Sequence, residues 1–181
     1  MPELTAERLI TLLNLEPLPV EGGYFRQTYH AGETIEPPAL PARYRRPKAL
    51  GSAIYYLLHG DHFSALHRLL TDEIYHFYLG DPVEMLLLYP DGASEVMSLG
   101  PDLEAGQRVQ LVVPRGVWQG ARLRVGGAWA LLGATLAPAW DEGDFELGRR
   151  EELEQHYPDR AEMIRALTRF QDSPKNKLPR P

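Results

Sequence analysis

The sequence predicts a mainly β fold: a barrel or sandwich of many short strands with a few helices at its periphery. Stretches rich in aromatic and branched residues recur between positions 53 and 135. Turn signals built from Gly, Pro and Asp separate them roughly every 8–12 residues. The chain has 181 residues, 44% apolar and 24% charged, which suits one soluble domain with one core.

At the N-terminus, Leu9, Ile10, Leu12 and Leu13 share one side of a helical wheel and Thr5 supplies an N-cap, so residues 5–15 are predicted as a short amphipathic helix. Glu21-Gly22-Gly23 turns the chain into a strand-like stretch, Tyr24 to Tyr29. Residues 31–48 hold Gly32, Pro37, Pro38, Pro41 and Pro47 and read as a loop, with Arg43, Arg45, Arg46 and Lys48 in solvent. Strands are expected at Ala53–Leu58, Phe63–Leu69, Glu73–Leu79, Glu84–Tyr89, Ser94–Leu99, Val109–Val113, Trp118–Leu123 and Trp129–Thr135. Glu84–Tyr89 is apolar on both faces, so it must be covered twice, and a second sheet or subunit is expected over it. Helices are expected within residues 146–170, where Asp159-Arg160-Ala161-Glu162 resembles a capping box and Ile164, Leu167 and Phe170 form a docking stripe. Residues 173–181, rich in Pro and Lys, are expected to be disordered, leaving a single domain over residues 1–172 with its barrel at about 20–140.

With no cysteine, the chain has no disulfide, thiolate metal site, Fe–S cluster or cysteine nucleophile. A net charge of -6 argues against nucleic acid as a partner, though not against a local basic pocket. The opening residues lack a basic segment followed by an apolar one, and no apolar run approaches the ~18 residues that cross a bilayer. The expectation is a cytoplasmic protein without a membrane partner. Gly22-Gly23 and Gly126-Gly127 read as turn glycines, with no dinucleotide or phosphate-loop spacing around them.

The stretch from Phe63 to Gly80 is the richest in chemistry. By two-residue alternation Phe63, Ala65, His67 and Leu69 share a face, and Glu73, Tyr75 and Phe77 share another, opposite Ile74, His76 and Tyr78. With His67 inward, a hairpin would bring Glu73 beside it. His67, Glu73 and Gly80 stand at the spacing of the first cupin motif, G-x5-H-x-H-x3,4-E-x6-G, whose second histidine falls on Leu69. Pro114-Arg115-Gly116-Val117-Trp118-Gln119 resembles the second motif, P-x-G-x2-H, with Gln119 at the histidine position. Glu21-Gly22-Gly23-Tyr24-Phe25-Arg26, Ile54-Tyr55-Tyr56-Leu57-Leu58, Asp72-Glu73-Ile74-Tyr75-His76-Phe77, Gly80-Asp81-Pro82, Val113–Trp118 and Asp144-Phe145-Glu146-Leu147 resemble the cupin subfamily DUF985, or cupin 5, over roughly residues 5 to 170. The resemblance implies a double-stranded β-helix, the cupin jelly-roll barrel, commonly a homodimer and of undefined biochemical role. That barrel is similar to those of nucleotide-sugar epimerases and seed storage proteins.

The resemblance further implies a metal set of three histidines and one glutamate for Fe, Mn, Ni or Zn. Leu69 cannot ligate, and Gln119 binds such ions poorly through its amide oxygen, so no metal cofactor is expected. Any divalent ion would have His67, Glu73 and Gln119 as ligands. Without a metal, His67 and Glu73 become a mutually satisfying acid–base pair in an apolar barrel. His67 is the expected general base, with Tyr75, Tyr24 or Tyr55 as the opposing acid. Tyr24, Arg26, Tyr55, Phe77, Trp118 and Gln119 are expected at the ligand, Arg26 meeting an anionic group and Trp118 or Trp140 stacking on a ring. Ser64 has no evident base partner. The functional expectation is a small-molecule-binding cupin, a metal-independent isomerase or epimerase of a sugar or nucleotide-sugar. Its alternatives are a non-catalytic metabolite or nucleotide sensor and a metal-dependent oxidase or decarboxylase.

Overall fold

Strands that bury alternate residues need a second layer to bury them against, and this chain supplies it by distributing its strands between two facing sheets. The computed structural model describes residues 4–169. The order is α1 (Ala6–Leu13), β1 (Glu16–Pro17), β2 (Tyr24–His30), β3 (Thr34–Ile35), β4 (Lys48–Ala49), β5 (Ser52–His59), β6 (Phe63–Arg68), β7 (Glu73–Gly80) and β8 (Val83–Leu88), followed by β9 (Ser94–Leu99), β10 (Gln110–Val113), β11 (Trp118–Leu123), β12 (Trp129–Leu136), β13 (Glu146–Leu147), α2 (Arg150–His156) and α3 (Ala161–Ala166). One sheet runs β1-β2-β5-β12-β7-β10, the other β13-β6-β11-β8-β9, and β3 pairs with β4 in a small ribbon. Tyr56, Leu58, Tyr75 and Leu132 of the first sheet meet Met85, Leu87 and Ala121 of the second in the main core. The result is the expected mainly β barrel, and the eight expected strands coincide with β5–β12 to within one residue at each end.

The helix at the start is also present. Thr5 Oγ1 accepts the Arg8 N–H at 3.4 Å, and Asn14 ends the helix in the left-handed region. Ala6 and Leu9 pack on Leu57 and Leu131 of the first sheet. Leu12, expected on the apolar side, is 62% exposed, because the buried stripe is narrower than the wheel suggests.

Three expectations change. β6 and β7 do not form a hairpin: they lie in opposite sheets, and the turn at 69–72 carries the chain across the barrel. The basic loop is not wholly solvated either. Lys48 is 3% exposed, and its Nζ sits 2.6 Å from Asp144 and 3.6 Å from Asp141. Finally, the two-sided strand β8 is covered from within its own chain. Val83, Met85 and Leu87 face the barrel core, while Leu86 and Leu88 lie under Leu153, Tyr157, Ile164 and Leu167 from the C-terminal helical segment. The strand therefore gives no argument for a second subunit.

The C-terminal segment forms the helices expected within residues 146–170, both of them short. Asp159 belongs to a 3-10 turn, Pro158–Arg160, and gives no side-chain cap to α3. Ile164 and Leu167 dock as expected, whereas Phe170 and residues 173–181 lie outside the described residues. Among the described residues no helix is long and apolar enough to cross a membrane.

Candidate functional site

Because β6 and β7 face each other from opposite sheets, their inward residues converge between the sheets. His67 on β6 is the register partner of Gln119 on β11, and Glu73 opens β7 opposite Val113 and Leu136. His67, Glu73 and Gln119 are all buried. His67 Nε2 lies 3.9 Å from Glu73 Oε2, an ion-pair distance too long for a hydrogen bond. The Gln119 amide N–H donates to the same oxygen at 2.7 Å. His67 Nδ1 lies 2.8 Å from the Ala65 carbonyl, which can only accept, so Nδ1 carries a proton. The Phe145 ring stacks on the imidazole, with centroids 5.1 Å apart at 22°.

A further carboxylate joins them. Glu21 accepts the Ser64 hydroxyl at 2.8 Å, so Ser64 has a carboxylate partner where the sequence showed none. The next residue, Gly22, has φ +108°, and a Cβ there would strike the Phe63 carbonyl. Only glycine fits so close to β6, and that approach sets Glu21 beside Ser64. The signal in the sequence is Glu21-Gly22-Gly23 itself, a carboxylate locked to a turn that cannot take a side chain. In isolation it reads as an ordinary solvated turn residue.

Electrostatics bear on the expected role of His67. Burial works against a proton on His67, but the carboxylates of Glu21 and Glu73 and the Ala65 carbonyl outweigh it and raise the pKa to about 9. With its pKa raised this far, His67 holds a proton at neutral pH and is better suited to donate one than to accept one. Burial also raises Glu21, reinforced by Glu73 and opposed by His67 and Ser64. Burial, then the neighbouring carboxylates, pushes the Tyr56 and Tyr75 hydroxyls well above their ordinary range, so both remain neutral phenols. Tyr56 donates to the Gly22 carbonyl at 3.0 Å.

These groups border a cavity of about 570 Å³. Its wall combines Glu21, His67 and Glu73 with apolar surface from Phe25, Ile54 and Leu69. Trp140 and Phe145, from the segment between β12 and β13, also line it. That segment is tied down by Lys48 through Asp141 and Asp144, and by the Trp140 N–H, which donates to Ser52 Oγ at 3.0 Å.

Of the residues expected at the site, the structure brings together His67, Glu73, Tyr75 and Gln119, with Trp140 also on the cavity. Tyr24, Arg26, Tyr55 and Trp118 do not belong to it. They occupy the outward phase of strands whose inward residues, such as Phe25, Tyr56 and Gln119, face the barrel. Tyr24 packs near α1 against the rings of His59 and His62, at 5.3 and 5.6 Å. Arg26 Nη1 donates to the Leu13 carbonyl at 3.3 Å. Tyr55 meets Tyr78 edge-on, and Trp118 lies beneath the Arg68 guanidinium at 4.4 Å. Phe77 packs against the core without lining the cavity. His76 is on the outer face, as alternation requires, near Gln110 and Thr135.

The donor set does not fit the metal that the fold implies. Leu69 presents only hydrocarbon to the cavity. Gln119 turns its N–H, not its oxygen, to Glu73, the carboxylate that an ion would need. Among the described residues no three His, Asp or Glu side chains are grouped to hold an ion.

Comparison with known proteins agrees with the architecture. The Cupin superfamily (DUF985) matches residues 7–148. A protein of solved structure from Shewanella oneidensis is 32% identical, with a TM-score of 0.82, over 93% of this chain and 100% of that one. A hypothetical protein from Leishmania major is 25% identical, also with a TM-score of 0.82, over 91% and 99% of the two chains. A cupin 2 conserved barrel domain protein from Rhodopseudomonas palustris is 14% identical, with a TM-score of 0.54 over 93% and 87%, and shares the fold alone. No curated protein matches the chain.

Proposed function

The chain belongs to the Cupin superfamily (DUF985), and we propose that its barrel binds a small polar organic molecule in the cavity beside His67, Glu73 and Glu21. One observation carries the reading: a cavity of about 570 Å³ with titratable side chains set into a largely apolar wall. Its size is that of small-molecule sites and far exceeds the packing defects of an ordinary core. Ala134 lines the cavity, so Ala134→Phe would fill part of it. Thermal-shift screening with small sugars, alcohols and amines should give stabilising compounds for the wild type that the filled variant loses while keeping its circular dichroism. Compounds that stabilise both equally, or no stabilising compound in any class, would overturn the proposal.

The imidazolium set between carboxylates favours a second reading, isomerisation or epimerisation of a carbonyl compound. A carboxylate of Glu73 or Glu21 would remove the proton from the carbon beside the carbonyl while His67 protonates the carbonyl oxygen. Delivery of a proton to the opposite face of that carbon, with the oxygen's proton returning to His67, would complete an epimerisation; delivery to the former carbonyl carbon, while the neighbouring hydroxyl gives its proton back to His67, would complete an isomerisation. The test is exchange of substrate hydrogen with solvent deuterium, which His67→Gln should abolish. The nucleotide-sugar form of this reading has no support from the cavity wall, where among the described residues neither lysine nor arginine meets a phosphate. A homodimer is also proposed, on the family resemblance alone.

A further inference from the structure

We infer that the ligand of this cavity is a small organic cation, an amine or ammonium group on an apolar body, and not a molecule bearing phosphate or carboxylate. The inference rests on the proposed binding function and specifies its ligand class. Among the described residues four carboxylates line the cavity: Glu21 and Glu73 within, and the exposed Glu16 and Glu142. Against them, among the same residues, stands one basic side chain, His67. The neighbouring cations are engaged elsewhere. Lys48 holds Asp141 and Asp144, and Arg169 donates to the Glu21 backbone carbonyl at 3.5 Å while lying over the Phe63 ring. An anionic group entering here would meet carboxylates and share a single imidazolium with them, which is strongly unfavourable away from bulk water.

A cation meets the opposite situation. Glu73 has His67 at 3.9 Å and accepts the Gln119 amide at 2.7 Å, whereas the hydrogen bond made by the Glu21 side chain comes from a neutral hydroxyl, Ser64 Oγ at 2.8 Å, although the His67 charge also reaches it. Glu21 is thus the carboxylate placed to receive an ammonium group. Aromatic rings supply the remaining requirement. Phe25, Tyr56, Tyr75, Trp140 and Phe145 all line the cavity, and the face of an aromatic ring attracts a cation, the more so where water is excluded. The apolar wall receives the body of the ligand.

The experiment is calorimetry at pH 7.5 with three probes of one shape, benzylamine, benzyl alcohol and benzoate, on wild type, Glu21→Gln and Ala134→Phe. Benzylamine should bind at least tenfold more tightly than benzyl alcohol, and benzoate should show no heat. Glu21→Gln should weaken benzylamine about tenfold and leave benzyl alcohol unchanged. Benzoate or benzyl alcohol binding as tightly as benzylamine, yet lost in Ala134→Phe, would overturn the charge inference while leaving the binding function standing. Binding of no probe, or of all three equally in Ala134→Phe, would overturn both. Unchanged benzylamine affinity in Glu21→Gln would remove Glu21 as the receiving group and with it the inference.

Discussion

Replacing His67 with glutamine should flatten the neutral-to-alkaline part of the stability curve. In the folded protein His67 has its pKa raised from 6.5 to about 9. Between those values the folded state keeps a proton that the unfolded state has released, so stability falls as pH rises. The contribution is complete below pH 6.5 and gone above about 9. A shift of this size corresponds to about 3 kcal/mol. Glutamine fills similar space, carries no charge in this range and still offers an N–H to Glu73. Urea unfolding from pH 6 to 9.5 should show wild type losing about 3 kcal/mol more than His67→Gln across that span. Parallel falls in the two proteins would refute the reasoning, as would an NMR titration placing the His67 midpoint near the ordinary histidine value. Burial raises Glu21 as well and the His67 charge opposes that rise, so the two groups are coupled and the NMR midpoint is the direct check on the imidazole.

Lys48→Met should destabilise the fold by about 3 kcal/mol, because it leaves Asp144 facing a buried space without its cation. Denaturant midpoints of Lys48→Met and of Lys48→Met with Asp144→Leu check this, since the second change should recover part of the loss. Metal analysis of untagged protein should find well under one transition-metal ion per chain, and EDTA should leave the melting temperature unchanged. A stoichiometric ion or an EDTA-induced drop would contradict the reading of Leu69 and Gln119. Light scattering at micromolar concentration should give twice the chain mass of 20.5 kDa. A monomer mass would end the homodimer proposal.

The strands were legible because each announces itself locally. Glu73-Ile74-Tyr75-His76-Phe77 alternates, and Gly80-Asp81-Pro82 stops it, with Gly80 at φ +99° where a Cβ would strike the Trp129 carbonyl. His67 and Glu73 were legible as neighbours for a wrong reason: the expected hairpin is absent, and the pair meets across the barrel instead. The phase of each strand was harder. Adjacent aromatics such as Tyr24-Phe25 and Tyr55-Tyr56 offer two equally apolar faces, and which face turns inward depends on α1 covering Tyr24 and Tyr55 from outside. The same difficulty hid what covers β8, because the helices over it lie more than sixty residues further along the chain. The solvated-loop reading of Lys48 failed because its partners, Asp141 and Asp144, are remote in sequence.

The departures from the cupin metal motif make physical sense as one change in charge balance. The family frame, with Glu73 directed inward, leaves a carboxylate between two sheets, where an uncompensated charge is costly. In the full motif, as the resemblance implies, a divalent ion and its histidines would supply the compensation. Here His67 takes a proton and becomes the counter-cation, while Gln119 adds a neutral donor at 2.7 Å. Leu69 then has no ligand role left and becomes wall. A histidine at position 119 would compete with His67 for the same carboxylate oxygen and, if charged, repel it, so glutamine suits a site whose cation is the imidazolium. Gln119→His with Leu69→His should therefore do more than restore a motif: in the absence of metal it should lower the pKa of His67 from about 9. That fall would be visible by NMR before any ion is added.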